Sequence, residues 1–159
     1  MSEKKLAGLT YEQVVHKYAQ TVTSVCIMRL QNYTDAEDCF QNVFVKLYAK
    51  SPRFSDGTHL KAWLIRVAIN ECNSFLRKNR GIVSLDEAKE KAVDFTEDSR
   101  DISWALFKTP QKYRVVLYLY YCEQYKVREI ADILKISESA VKARLTRGRE
   151  KLKEIYGGD

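Results

Sequence analysis

Proline is nearly absent from this chain and glycine is scarce, at two and six residues in 159. With so few helix breakers, and with Leu, Lys, Glu and Ala abundant, the composition implies a mostly helical fold. The four cysteines, Cys26, Cys39, Cys72 and Cys122, lie far apart, form no Cys-x-x-Cys pair and have no histidine beside them. That argues against both a disulfide framework and a zinc site, and leaves reduced core thiols as the reading. Histidine is limited to His16 and His59, in separate segments and without a metal-spaced partner. No apolar run is long enough to cross a membrane, and the opening MSEKKLAGLT holds no signal-peptide core. A cytoplasmic location without membrane insertion is therefore expected. No glycine-rich phosphate loop, His-Glu-x-x-His or Gly-x-Ser-x-Gly motif occurs. Asp35 and Asp38 could in principle do acid–base work, but on a helix-opening turn a structural or partner-binding role outweighs it. No catalysis, metal or cofactor is expected, and the chemistry that remains is recognition.

A chain of this length fits one domain or two small ones, and 45% apolar residues suffice for a core. The net charge of +6 suits a polyanionic partner without identifying one. Thr10-Tyr-Glu-Gln13 reads as a capping box opening a helix to about Leu30, with Val14, Val15, Tyr18, Val22, Val25 and Met28 among its apolar positions. Thr34-Asp-Ala-Glu37 reads as a second box opening a helix to about Lys50, with Ala36, Phe40, Val43, Phe44 and Leu47 inward. The loop 51–58, punctuated by Pro52 and Gly57, precedes a third helix from about His59 to Lys78. Its core side uses Leu60, Leu64, Val67, Ala68, Cys72 and Leu76. Trp63, Arg66, Asn70, Asn73 and Arg77 recur at three- and four-residue spacing on another stripe, where they could stack on bases and hold phosphates. A hydrated helix face with a buried tryptophan explains that stripe equally well.

Residues 81–100 carry six acidic and three basic side chains and read as a linker, with Ser84-Leu-Asp-Glu87 capping a short helix inside it. A second domain then begins near Asp101. A short helix with Ile102, Leu106 and Phe107 precedes Thr109-Pro110, a cap followed by proline at the first helical position. The expected architecture is all-α, with two small helical domains, 8–80 and 101–156, joined by an acidic linker at 81–100.

The C-terminal half ends in a pattern typical of a helix-turn-helix within a four-helix module. Val127, Ile130, Ala131 and Leu134 give a first apolar stripe, Ile136 packs in the turn, and Ser137 stands at an N-cap position. Val141, Leu145, Gly148, Leu152 and Ile155 share one face of the second helix. Small Ala131 allows the two helices to cross closely. Between Lys135 and Lys153 seven basic residues face two acidic ones. A merely solvated basic helix is the bland alternative, and the turn chemistry favours DNA binding.

These residues resemble the bacterial RNA polymerase sigma factors of the extracytoplasmic-function group. Four stretches carry the resemblance: Asp35–Phe44, Phe54–Lys78, Pro110–Tyr120 and Glu129–Leu152, in the family's order. The likeness covers about Val14 to Leu152. It implies an initiation factor without catalysis of its own, which binds core RNA polymerase and directs it to promoter DNA. Asp35, Asp38, Gln41 and Phe44 would contact the polymerase. Phe54, Asp56, Thr58, His59, Trp63, Arg66, Asn70, Asn73 and Arg77 would open and hold the minus-ten element. Ser139, Lys142, Arg144, Arg147, Arg149 and Lys151 would meet the minus-thirty-five element. An anti-sigma partner is implied by the resemblance alone. Lys135 departs from the glycine that many helix-turn-helix units carry in the turn. The other readings weighed are an ordinary transcriptional regulator with a helical dimerisation half, which has no use for the Asp35–Phe44 helix, and a small nuclease, which would need clustered carboxylates for metal.

Overall fold

The N-terminal helix α1 (Tyr11–Leu30) starts at the capping box expected for it. Thr10 Oγ1 accepts from Gln13 N at 3.2 Å, and Gln13 Oε1 accepts from Thr10 N at 2.8 Å. In this computed structural model residues 5–79 and 102–157 are described, and all the named elements among them are helices. The acidic linker, with the short helix expected at Ser84–Glu87, lies outside the described residues.

Helix α1 ends when Gln31 turns left-handed at φ 55°, which leaves Asn32 extended. Asn32 then caps α2 (Tyr33–Lys50), its side-chain oxygen accepting from Asp35 N at 3.0 Å. The Thr34–Glu37 box expected at this point does not form. Thr34 lies exposed inside the first turn, because a two-residue turn puts the asparagine in the cap position first. Likewise α3 (Gly57–Lys78) begins two residues before His59, because the Asp56 carboxylate accepts from His59 N at 2.9 Å.

These three helices pack against one another, burying Val14, Val22 and Val25 of α1, Val43 and Leu47 of α2, and Leu60, Leu64 and Ala68 of α3. Helix α3 contacts both others, so its buried face is wider than one stripe. Ile65 and Ile69 are buried along with the expected positions, whereas Val67 and Leu76 are only half-buried. Each helix contributes one buried cysteine, and the Cys72 thiol lies close to those of Cys26 and Cys39. Those two contacts, followed by burial, push the Cys72 thiol far above its usual range, so it behaves as a small apolar group. Buried Glu71 is paired with Lys46 across α2 and α3.

The second group of helices forms its own compact unit. It consists of α4 (Ile102–Lys108), α5 (Gln111–Tyr121), α6 (Val127–Leu134) and α7 (Glu138–Gly157). Thr109 does not cap α5. Its hydroxyl instead closes α4 by donating to Leu106 O at 2.6 Å, and its carbonyl accepts from buried Arg114 at 2.8 Å. Pro110 takes the cap position of α5 without a side-chain bond, as its ring must. Residues 113–119 of α5 are all buried, making this helix the centre of the unit.

The α6–α7 turn forms around Lys135, which adopts the left-handed conformation at φ 57° that glycine takes more easily. Ser137 Oγ accepts from Ala140 N at 3.0 Å and opens α7 as expected. Val141, Leu145, Gly148 and Leu152 are buried. Ala131 is buried, and Gly148 makes a close approach of its own, to α5. A Cβ on Gly148 would stand 2.8 Å from a methyl of Leu117 in α5.

Candidate nucleic-acid interface

Periodicity around α7 decides which side chains can face a groove together. Taking the buried set as the inner face, the basic residues divide between two flanks. Lys142, Arg149 and Lys153 lie on one flank, at i, i+7 and i+11. Arg144, Arg147 and Lys151 lie on the other, at i, i+3 and i+7. Between them, pointing furthest from the core, are Ser139, Ala143, Thr146 and Glu150, all exposed. Ala143 and Thr146 carry no charge, and a search for cations passes over them. Projecting the helix opposite its apolar stripe would have found them. Three small residues at the crest would leave room for a helix backbone to approach base edges, with cations on both sides in a position to meet the strands.

Several of these cations have partners within the unit. Lys112, then Arg147, hold the Tyr113 hydroxyl below the usual tyrosine range, so Arg147 lies against that phenol. Lys151 lies 3.6 Å from Glu154, an exposed pair of little energetic weight. Arg149 donates from Nε to the Tyr121 hydroxyl at 2.6 Å.

In the first unit the base-opening candidates form two groups. Phe54, His59 and Trp63 cluster at the start of α3. The Phe54 ring meets His59 edge-on at 5.2 Å and Trp63 at 5.7 Å. Ser55 N donates to His59 Nδ1 at 3.2 Å, which puts the proton of the neutral ring on Nε2. Asp56 caps α3 with one carboxylate oxygen and is exposed, as is Thr58 near it. Further along α3, Trp63, Arg66, Asn70, Asn73 and Arg77 do share one stripe, but only Asn70 and Arg77 are fully exposed. Asn73 accepts from Arg29 of α1 at 3.0 Å, and Arg77 donates to Ser74 at 3.0 Å.

On α2, Asp38 and Gln41 are exposed and Asp35 is half-buried. Phe44 is only 4% exposed, so its side chain belongs to the core and not to a docking face. The half-buried Phe40, with its ring 4.9 Å from that of Phe44, comes to the surface instead. It lines a groove of about 320 Å³ with Thr23, Ile27, Tyr33, Ala36 and Gln41. The sequence places Phe40 inward and offers Phe44 as the contact, whereas the structure exposes Phe40 in part and buries Phe44.

Among the described residues no group of three or more His, Cys, Asp or Glu is placed to hold a metal ion, and no helix is long and apolar enough to cross a membrane. A family profile described as Sigma-70 region 2 matches residues 14–82, and one described as Sigma-70, region 4 matches residues 110–152. The chain is 29% identical to the ECF RNA polymerase sigma factor SigW of Bacillus subtilis, over 91% of this chain and 87% of that protein. To SigM of the same organism it is 26% identical, over 93% and 96% respectively. Among solved structures, the sigma factor RpoE from Bartonella quintana, in complex with the anti-sigma factor NepR, matches with a TM-score of 0.76 at 25% identity. That match covers 94% of this chain and 98% of the solved one.

Proposed function

The chain belongs to the extracytoplasmic-function group of RNA polymerase sigma factors, and from that premise we propose how its two units share the work. As such it is a promoter-directing transcription initiation factor, a class whose members are generally not catalysts. Residues 8–80 form the polymerase-docking and minus-ten domain, 101–156 the minus-thirty-five domain, and 81–100 an acidic linker whose charge keeps it off the phosphates both domains need. Activity with polymerase places the protein in the cytoplasm. The likeness to a sigma factor solved with its anti-sigma factor supports a partner of that kind here.

The observation that carries this reading is the crest of α7, where Ser139, Ala143 and Thr146 stand between two cationic flanks. Such a helix enters the major groove with base edges under the crest and phosphates beside it. Lys142, Arg144 and Arg147 meet phosphates or flanking base edges. In-vitro transcription with core polymerase across a library of promoters tests the whole reading: sequence-selective initiation supports it, and absence of any selectivity overturns it.

Arg147→Ala should weaken promoter binding and reduce the slope of log affinity against log salt by about 0.9, the share of one phosphate contact. A slope equal to that of the parent would confine Arg147 to its Tyr113 contact. In the first unit, α2 docks on polymerase through Asp38, Gln41 and the groove beside Phe40, with Asp35 at its edge. Asp38→Arg should lower holoenzyme assembly several-fold in a pull-down with core polymerase and leave the circular dichroism spectrum unaltered. Assembly at the parental level would remove Asp38 from the interface.

A further inference from the structure

The contact between Arg149 and Tyr121 joins two residues 28 positions apart, on α7 and at the end of α5. Its chemistry is unusual for a surface arginine. The Nε–H group donates to the phenol oxygen at 2.6 Å. The guanidinium also lies 5.3 Å from the centre of the Tyr120 ring and 5.7 Å from that of Tyr121. The two rings are themselves packed edge to face at 5.0 Å. Among the described residues no carboxylate is paired with Arg149. The side chain is thus fixed in direction by a neutral group and two aromatic rings, and its charge is not cancelled.

We propose that Arg149 and Tyr121 together form a binding site for one phosphodiester of the promoter backbone. The proposal rests on the reading of α7 as the helix that enters DNA, and adds a contact residue from outside that helix. Binding through Nε leaves the two terminal amino groups of Arg149, with four N–H donors, on its outer edge. The Tyr121 oxygen accepts from Nε and still has its own proton to donate. A phosphate oxygen pair placed before this edge receives two charge-assisted bonds from the arginine and one from the phenol. Tyr121 is 41% exposed, so the phenol is accessible to such a ligand. Arg149 shares its flank with Lys142, two helical turns or about 10 Å nearer the helix start, so both can follow one strand. Because the arginine is already held, less of its rotamer freedom is lost on binding than for the neighbouring lysines.

The test uses holoenzyme reconstituted with the full-length chain and a promoter duplex, with affinity measured across a salt series. Arg149→Ala should weaken binding and reduce the salt slope by about 0.9. Tyr121→Phe keeps the ring and removes the hydroxyl. It should weaken binding about tenfold, as for a lost bond involving a charged group, and leave the slope near the parental value. In the Arg149→Ala background the same Tyr121→Phe change should cost far less, because the arginine it holds is gone. Replacing single phosphates of the duplex by neutral methylphosphonates should find one position that weakens the parent but not the Arg149→Ala variant. A full Tyr121→Phe effect in the Arg149→Ala background, an unchanged salt slope for Arg149→Ala, or no such position would overturn the site. If the parent holoenzyme itself shows no promoter selectivity, the reading of α7 fails, and the site proposed on it fails with it.

Discussion

In the full-length chain, Gly148→Val should unfold the second unit at temperatures where the first remains folded. A Cβ at Gly148 would lie 2.8, 3.0 and 3.1 Å from Cδ1, Cγ and Cδ2 of Leu117. Leu117 is fully buried in the central helix of its unit. Inserting extra methyl groups into a packed core costs about 1–3 kcal/mol, and valine adds two carbons beyond the one already too close. A unit of this size has on the order of 3–8 kcal/mol in total. The variant therefore loses about a third to a half of the unit's stability, and binding at the minus-thirty-five element weakens with it. Thermal unfolding followed by circular dichroism should show an early transition absent from the parent. Pairing the change with Leu117→Ala should recover part of the loss by making room. A single unaltered transition would mean that α5 and α7 move apart at little cost.

The second large effect is at Trp63. Its ring packs against Phe54, which in turn meets His59, and the residue is half-buried, so part of it remains at the surface. An aromatic held in this way offers a platform for an unstacked base, and such stacking contributes about 1–3 kcal/mol per base. Trp63→Ala should therefore reduce open-complex formation by roughly 5- to 150-fold, as judged by permanganate reactivity of minus-ten thymines. Initial binding to closed promoter, which depends on the phosphate contacts, should change little. A template already unpaired over the minus-ten element should restore much of the activity, since the cost of unstacking is then removed. Parental permanganate reactivity in the variant would assign Trp63 to packing alone.

Local chemistry was the part of this molecule most legible in the sequence. The Thr10 capping box, the Ser137 cap and the apolar stripe of α7 depend on neighbours within a turn or two, and they occur where expected. Cap choices failed where a competing residue lay just upstream: Asn32 displaced Thr34, and Thr109 was taken up by the end of α4. Contacts across long sequence separation were not legible. Gly148 was placed on the right face, but its fit against Leu117 depends on how two helices cross. The hold of Tyr121 on Arg149 has no local signature at all. Phe44 was assigned both to the core and to the docking surface, and burial settles that in favour of the core. The basic residues of α7 were counted correctly, but a count does not show that they divide between two flanks.

The placement of the cysteines gives the protein a built-in clock for its own breathing. Cys26, Cys39 and Cys72 are sealed inside the first unit, whereas Cys122 of the second is half-buried. A thiol reagent at neutral pH reaches Cys122 early and the other three only when the first unit opens. Mass spectrometry of the labelled chain over time therefore yields the opening frequency of the first unit. Repeating the time course with core polymerase bound measures how far the partner slows that opening.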